Sequence, residues 1–293
     1  MTNPSITHGK LAEARAALRD PQLAAEICHE ILSSHDTAQP DRTVCEAHYL
    51  LGVSLRLAGN HADAEAELLY AHQLANELND KSLRSDCALD LGHLAIETMQ
   101  YGRAIELITD AVELIDISEE SLRRPKAIYA LANACWLVGE HDRALRLLEE
   151  AMLCFTKAHS DEGIFAVLCC LIHMDIDRGR EKEAEERIDL CMKLFPQDLH
   201  IKNRLFLRLT LAECYMKQGR NERALEILQA TTMEANTEGY HFLEAQGLML
   251  MYSINKAQGK LDAGEEMRQH ASELARLHGF VPAFEAIQAK AIA

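Results

Sequence analysis

Cys169, His173 and Asp177 recur at i, i+4 and i+8, which sets them along one side of a single helix, and they are the residues best spaced to hold a metal. A cysteine and a histidine four apart can share an ion. Asp177, however, lies two turns from Cys169, about 12 Å along a helix axis, so one ion cannot take all three. His93 occupies the position 80 residues before His173, too far away to complete a set. The favoured reading of the three is structural, and no metal is expected. Adjacent Cys169 and Cys170 raise redox chemistry next. On a helix neighbouring side chains diverge, and the surrounding run Ile164 to Ile172 is apolar, so packing is the better account. The acidic stretch Glu181 to Asp189 alternates with Lys182 and Arg187, as a solvated helix face does. No phosphate-binding loop, no G-x-S-x-G and no H-E-x-x-H is present. The expectation is a protein without cofactor that is not an enzyme.

The elements that carry these residues are set by a repeat. Gly59, Gly139, Gly179, Gly219 and Gly259 share one register at a spacing of 40, with Met99 in the vacant position and Arg19 one period before Gly59. Five residues on runs the column Ala24, Ala64, Ala104, Ala144, Ala184, Ala224 and Gly264. Nine residues on from the glycine stand Cys28, Leu68, Ile108, Leu148, Ile188, Leu228 and Arg268, and three further Ile31, Ala71, Ala111, Ala151, Cys191, Thr231 and Ala271. Eight residues before it stand Leu11, Leu51, Leu91, Leu131, Leu171, Leu211 and Met251, followed by Ala12, Gly52, Gly92, Ala132, Ile172, Ala212 and Tyr252. Apolar residues thus recur at helical spacing on both sides of a glycine that closes the first helix cheaply in the left-handed conformation. The small residue after it lets a second helix lie close, and the large aliphatic fills the space between. Each unit is an αα-hairpin whose apolar face is buried only by stacking on its neighbours.

The order Leu-Gly, Gly, His or Tyr, Ala, aliphatic, Ala resembles the tetratricopeptide repeat. It is fullest in Leu51, Gly52, Gly59, His61, Ala64, Leu68 and Ala71, and recurs in Leu91, Gly92, Tyr101, Ala104, Ile108 and Ala111 and in Leu131, Ala132, Gly139, His141, Ala144, Leu148 and Ala151. The period departs from the family's roughly 34 residues, which calls for longer helices or longer connections. The family's first-helix tryptophan is replaced by Ile128 or Leu168, and its proline after the second helix is mostly absent. The resemblance implies an all-α fold: a right-handed superhelical α-solenoid of about seven hairpins, near 5–34, 41–78, 81–116, 121–158, 161–194, 198–236 and 239–278, closed by a capping helix over 281–291. No Gly/Ser/Pro linker divides residues 1–293, so one domain is expected. Pro21, Pro125 and Pro282 fit first turns of helices, and Asp80, Ser121 and Ser160 fit N-caps.

In such arrays the first helices line a concave groove that receives a peptide or helix. Projected from the register, the groove residues are Tyr49, Arg56, Asp90, His93, Lys126, Tyr129, Asn133, Trp136, His173, Asp177, Glu213 and Lys217. Val53, Glu97, Cys169, Thr210 and Met216 project the same way, and Leu50 and Ala130 also fall on groove positions. Trp136, the single tryptophan, has two readings: packing between helices, or an aromatic anchor for a partner. A clamp for chaperone C-terminal carboxylates is disfavoured, because only Asn133 and Lys126 of the needed cations and amides are present.

The resemblance therefore implies a scaffold or adaptor that binds a protein segment in its groove, chiefly through the third to sixth units. The net charge of −16 disfavours nucleic acid and anionic membranes and favours a partner with basic flanks. Forty-residue arrays of this look also resemble the sensor regions of bacterial signalling proteins, including diguanylate cyclases and large transcription activators. That makes a ligand-sensing regulatory module the alternative, although neither a GGDEF-like motif nor a basic recognition helix occurs. Nine cysteines without a C-x-x-C pair suit a reducing cytoplasm, residues 1–15 contain no apolar signal segment, and no apolar run is long enough to span a membrane. Two copies pairing through their terminal helices is the alternative to capping.

Overall fold

The computed structural model describes residues 4–34, 41–116, 122–194 and 201–278, together with Val281, Phe284, Glu285, Ile287 and Gln288. Fourteen α-helices and no strand occur among them. They are α1 (Pro4–Ala16), α2 (Pro21–Ser34), α3 (Arg42–Leu57), α4 (His61–Glu77), α5 (Lys81–Glu97), α6 (Tyr101–Leu114) and α7 (Arg123–Leu137). They continue with α8 (His141–Lys157), α9 (Asp161–Asp177), α10 (Glu181–Leu194), α11 (Ile201–Lys217), α12 (Asn221–Thr237), α13 (His241–Ala257) and α14 (Leu261–Leu277). The chain forms two compact units, Met1–Val167 and Leu168–Ala293, with the boundary inside α9. Each unit is a row of antiparallel hairpins, so the α-solenoid read from the repeat is the fold.

The glycine turns end their helices in one way. Gly59 has φ +80°, its N–H donates to the Arg56 carbonyl (2.9 Å), and the N–H of Asn60 reaches back to Leu55 (2.9 Å). These are the two bonds of a Schellman closure. In the second hairpin and its link to the third, the long period comes from helix length: α4 and α5 have 17 residues each, and the connections on either side of α4 are three residues long. The same closure also ends second helices, where the repeat gave no sign of it. Asn79 (φ +53°), His159 (φ +50°) and Gly239 (φ +76°) take the glycine's role there. The next residue in two of these turns doubles as an N-cap: Asp80 Oδ1 accepts from Leu83 N (3.1 Å) and Ser160 Oγ from Gly163 N (3.2 Å). In the first hairpin, where Arg19 stands for glycine, a 3-10 turn over Ala17–Arg19 leads into an extended Asp20 instead. Pro21 opens α2 and Pro125 lies in the first turn of α7, as read from the sequence, whereas Ser121 and Pro282 lie outside the described residues.

The small-residue columns are the contact between the two helices of a hairpin. Ala64, Ala104 and Ala144 are fully buried in the first unit, as are Ala184 and Ala224 in the second. A Cβ on Gly92 would stand 2.3 Å from Ile108 Cγ1, and one on Gly52 2.7 Å from Leu68 Cγ. The small position on the first helix and the large aliphatic on the second thus occupy one shared volume. The last hairpin exchanges the roles: Tyr252 fills the small position, and Gly264 replaces the usual alanine across from it, where a Cβ would lie 3.4 Å from the tyrosine ring. Beyond α14, Phe284 is helical and 3% exposed, packed with Leu248, Met249 and Leu274. Part of the expected cap is therefore in place; the rest of 281–291 lies outside the described residues.

In the first unit the backbones of successive first helices approach one another (α1 to α3, α3 to α5, α5 to α7), whereas those of successive second helices do not. The first-helix layer is thus the shorter, inner side of this unit. No described helix is long and apolar enough to cross a membrane.

Met99 holds φ +60° and is 74% exposed, so it is strained without a compensating contact. Met99→Gly is expected to raise unfolding stability by about 0.5–1 kcal/mol after the chain-entropy cost of glycine, read as a higher urea midpoint. Gly92→Val should lower stability by about 3 kcal/mol through overpacking against Ile108, in the same assay.

Candidate functional site

The inner layer of the first unit brings the predicted groove residues of α3 and α5 into contact. They project there because residues three and four apart share a helix side. The Tyr49 hydroxyl donates to Asp90 Oδ2 (2.9 Å), and Arg56 Nη2 donates to Asp90 Oδ1 (3.0 Å). The other guanidinium nitrogen of Arg56 binds Glu97 Oε1, whose second oxygen is 3.7 Å from His61 Nε2. His93 Nδ1 lies 3.7 Å from Asp90. Burial alone would raise the Asp90 carboxyl, but His93, Arg56 and the Tyr49 hydroxyl outweigh it and hold Asp90 below the ordinary carboxylate range. α3 and α5 are thereby stapled across the face they present.

A second staple joins α5 to α7. Arg123 Nη2 donates to Asp86 Oδ1 (2.7 Å), the Ser85 hydroxyl (2.6 Å) and the Ser82 carbonyl (2.7 Å). Arg15 pairs with Glu46 in the same manner between α1 and α3. The sequence reading missed Glu46, Asp86, Ser85 and Arg123 as members of this face. A usable signal existed, since Glu46 and Asp86 stand one period apart with Lys126 next in the column, and arginines lie near them. Arginine thus faces the carboxylates of Glu46, Asp86, Asp90 and Glu97 in this unit.

On α7 the exposed Lys126 and the half-buried Tyr129, Asn133 and Trp136 follow one another along the helix. The Trp136 ring is tilted by 53° against His141, with centroids 4.1 Å apart. Trp136 thus packs against the first residue of α8 and is half-buried. In the second unit His173 is exposed, its Nδ1 is 2.8 Å from the Cys169 carbonyl oxygen, and its ring lies 5.6 Å from Phe206 of α11. Asp177 and Lys217 are exposed, and Glu213 is half-buried. Glu185 of α10 gathers the Tyr215 hydroxyl (3.1 Å) and Arg220 (3.2 Å), the latter also lying over the Tyr215 ring at 4.1 Å.

Several residues projected onto the groove are core instead. Leu50, Val53 and Ala130 in the first unit and Cys169 and Thr210 in the second are buried. Each faces inward because the helix presents only a narrow stripe to the inner surface, and the neighbouring register is taken up by packing. The thiols carry no sign of reactivity. Burial pushes Cys28 up to about 12 and Cys45 up to about 11, and burial with the nearby Asp177 charge raises Cys170 to about 12. Such thiols hold their protons at neutral pH and are poor nucleophiles. Among the described residues no three His, Cys, Asp or Glu side chains are placed to hold a metal ion.

The geometry defines a helical-hairpin repeat protein with a polar and aromatic inner face. Tetratricopeptide repeat models match residues 127–154 and 176–247, so the chain carries tetratricopeptide-like repeats. No curated protein matches it. Solved structures share the architecture. A Rap protein complexed with Competence and Sporulation Factor superposes with a TM-score of 0.66 at 12% identity, covering 93% of this chain and 77% of that one. The apo form of the quorum sensor NprR from B. thuringiensis does so at 0.66 and 18% identity, covering 98% and 86%. The Rap conjugation gene regulator of the plasmid pLS20, in complex with the Phr* peptide, does so at 0.63 and 13%, covering 98% and 94%. At these identities the likeness is one of fold.

Asp90 gives the face its testable electrostatics. A depressed folded pKa contributes stability that is present above the unfolded carboxylate value and is lost as pH falls through the folded one. Asp90→Asn should therefore flatten the acid limb of the stability profile below about pH 4. At neutral pH the variant should lose about 3 kcal/mol, because Arg56 is left half-paired. Urea unfolding across pH 3 to 7 checks both.

Proposed function

We propose that this chain is a non-catalytic binding module that takes a peptide or extended protein segment on the inner face of its first unit, and that it works as a regulatory sensor or adaptor. The observation that carries the reading is the face itself. Tyr49, Arg56, Asp90, His93, Glu97, Lys126, Tyr129, Asn133 and Trp136 lie on three consecutive first helices, and the arginine pairs that link those helices support the reading. Helices packed about 8–10 Å apart match three residues of an extended chain, which rises about 10 Å. A segment crossing the layer would offer a side chain to each helix in turn, with Asn133 and Tyr129 supplying hydrogen bonds and Trp136 an apolar surface.

The sensor reading is favoured by what the similar folds do in their own structures: one was solved with the Phr* peptide, and another is a quorum sensor. A cytoplasmic location fits cysteines of which most are buried. Because the inner-face carboxylates are paired, attraction of a basic flank would come from the overall charge of −16.

The test is affinity capture from source-cell lysate and from a random-peptide display library. Wild type would be compared with a Tyr129→Ala, Asn133→Ala, Trp136→Ala triple variant of equal helicity. The expected result is a peptide or protein recovered by wild type and bound at least about tenfold more weakly by the variant, the loss of roughly one interface anchor. Equal recovery by both proteins would sink the assignment to this face.

A further inference from the structure

Two carboxylates are buried among the described residues, Asp175 and Glu244, and they are neutralised differently. Asp175 is held by two guanidiniums, Arg180 Nη2 at 2.6 Å and Arg187 Nε at 2.7 Å. Those charges are permanent. Glu244, in the first turn of α13, is 3% exposed, and both of its ion-pair partners are histidines. His241 Nδ1 lies 3.3 Å from Oε2, and His270 Nε2 of α14 lies 3.9 Å from Oε1. Asn236 of α12 donates to Oε1 at 2.9 Å. The His241 ring stacks on His278, just past α14, with centroids 3.7 Å apart and an 18° interplanar angle. Lys202 of α11 and Tyr240 line the depression beside these two rings.

We propose that Glu244, His241 and His270 form a proton-operated clasp on the last hairpin. It is closed when the imidazoles carry a proton and loosened when they do not, which lets α14 and the helical residues after it part from α13. A buried carboxylate is costly unless an opposite charge faces it. Imidazole is the side chain whose ordinary titration falls between pH 5 and 8. When protonated, His270 supplies a charge that crosses the hairpin from α14 to α13, and His241 supplies a second from the same turn. When they are neutral, Glu244 keeps an amide donor and at best neutral N–H donors. Lys202 and Tyr240 are the other charged and titratable groups that line the depression beside His241 and His278. His278 is the third imidazole of the cluster, and a proton on it would oppose one on the His241 ring it stacks against, so the charge that ties the two helices is that of His270. What opens is specific: the apolar contact of Leu248, Met249 and Leu274 with Phe284.

The experiment is hydrogen–deuterium exchange on the full chain at pH 6 and pH 8, with rates corrected for the intrinsic pH dependence of amide exchange. Amides of α13 and α14 are expected to be protected about tenfold more at pH 6 than at pH 8, because local opening becomes easier as the imidazoles lose their protons, while α10, which holds no histidine, changes little. The His241→Gln, His270→Gln double variant should show the pH 8 behaviour at both values, and Glu244→Gln should lose the pH dependence. Equal protection of α13 and α14 at the two values in wild type would overturn the clasp. So would an undiminished pH difference in the histidine double variant, which keeps Glu244 and remains informative even if Glu244→Gln does not fold.

Discussion

Everything in this molecule depends on how closely the two helices of a hairpin can approach. The approach is set by a single shared volume, filled from one side by a large aliphatic such as Ile108 and left vacant on the other by Gly92. With that volume filled once, Ala104 is fully buried and the hairpin is thin enough for its neighbours to stack. Filled twice, the helices would separate, and the row of first helices would lose its spacing. Interiors this dense transmit such a change rather than absorb it. The last hairpin shows that the requirement concerns volume and not residue type, because Tyr252 is accommodated where Gly264 gives way.

The spacing of the first helices is then locked by charge. Arg56 to Asp90 and Arg123 to Asp86 each tie one first helix to the next, and each is partly screened from water. Paired charges of this kind add little net stability, but they define register. Here they fix which side chains stand beside one another on the inner face. That leaves Lys126, Tyr129, Asn133 and Trp136 on α7 as neighbours of a preorganised polar surface rather than of a mobile one. Preorganisation lowers the entropic cost of ordering an interface on binding.

The hairpins were legible in the sequence because one glycine column and one alanine column mark the same event in each unit. Helix ends fell within a few residues of their expected places, since Gly59 and its equivalents can take the left-handed turn without strain. The closures after second helices were not legible, because Asn79, His159 and Gly239 share a conformation but no residue type. The inner face was half legible. Helical period put Tyr49, Arg56 and Asp90 on one side, and their side chains do meet, yet it also put Val53 and Thr210 on groove positions, and these are buried. A helix stripe is about 100° wide and successive residues are that far apart, so residues at the stripe's border are decided by packing. Pairings such as Asp86 with Arg123 link side chains 37 residues apart and obey no local rule.

Function in a repeat of this kind resides in departures from the repeat. Positions that match their equivalents serve the shared volume and the turns, and they are explained once the hairpin is explained. Asp175 and Glu244 belong to no column, yet each places a charge in the interior, where the fold by itself would have an apolar group. Asp175 is answered by arginines, which fit a permanent joint between α9 and α10. Glu244 is answered by histidines, which fit a joint whose strength follows the proton. The difference between them is one of partner chemistry, not of burial. It sets the last hairpin apart from the arginine-held joint of α9 and α10.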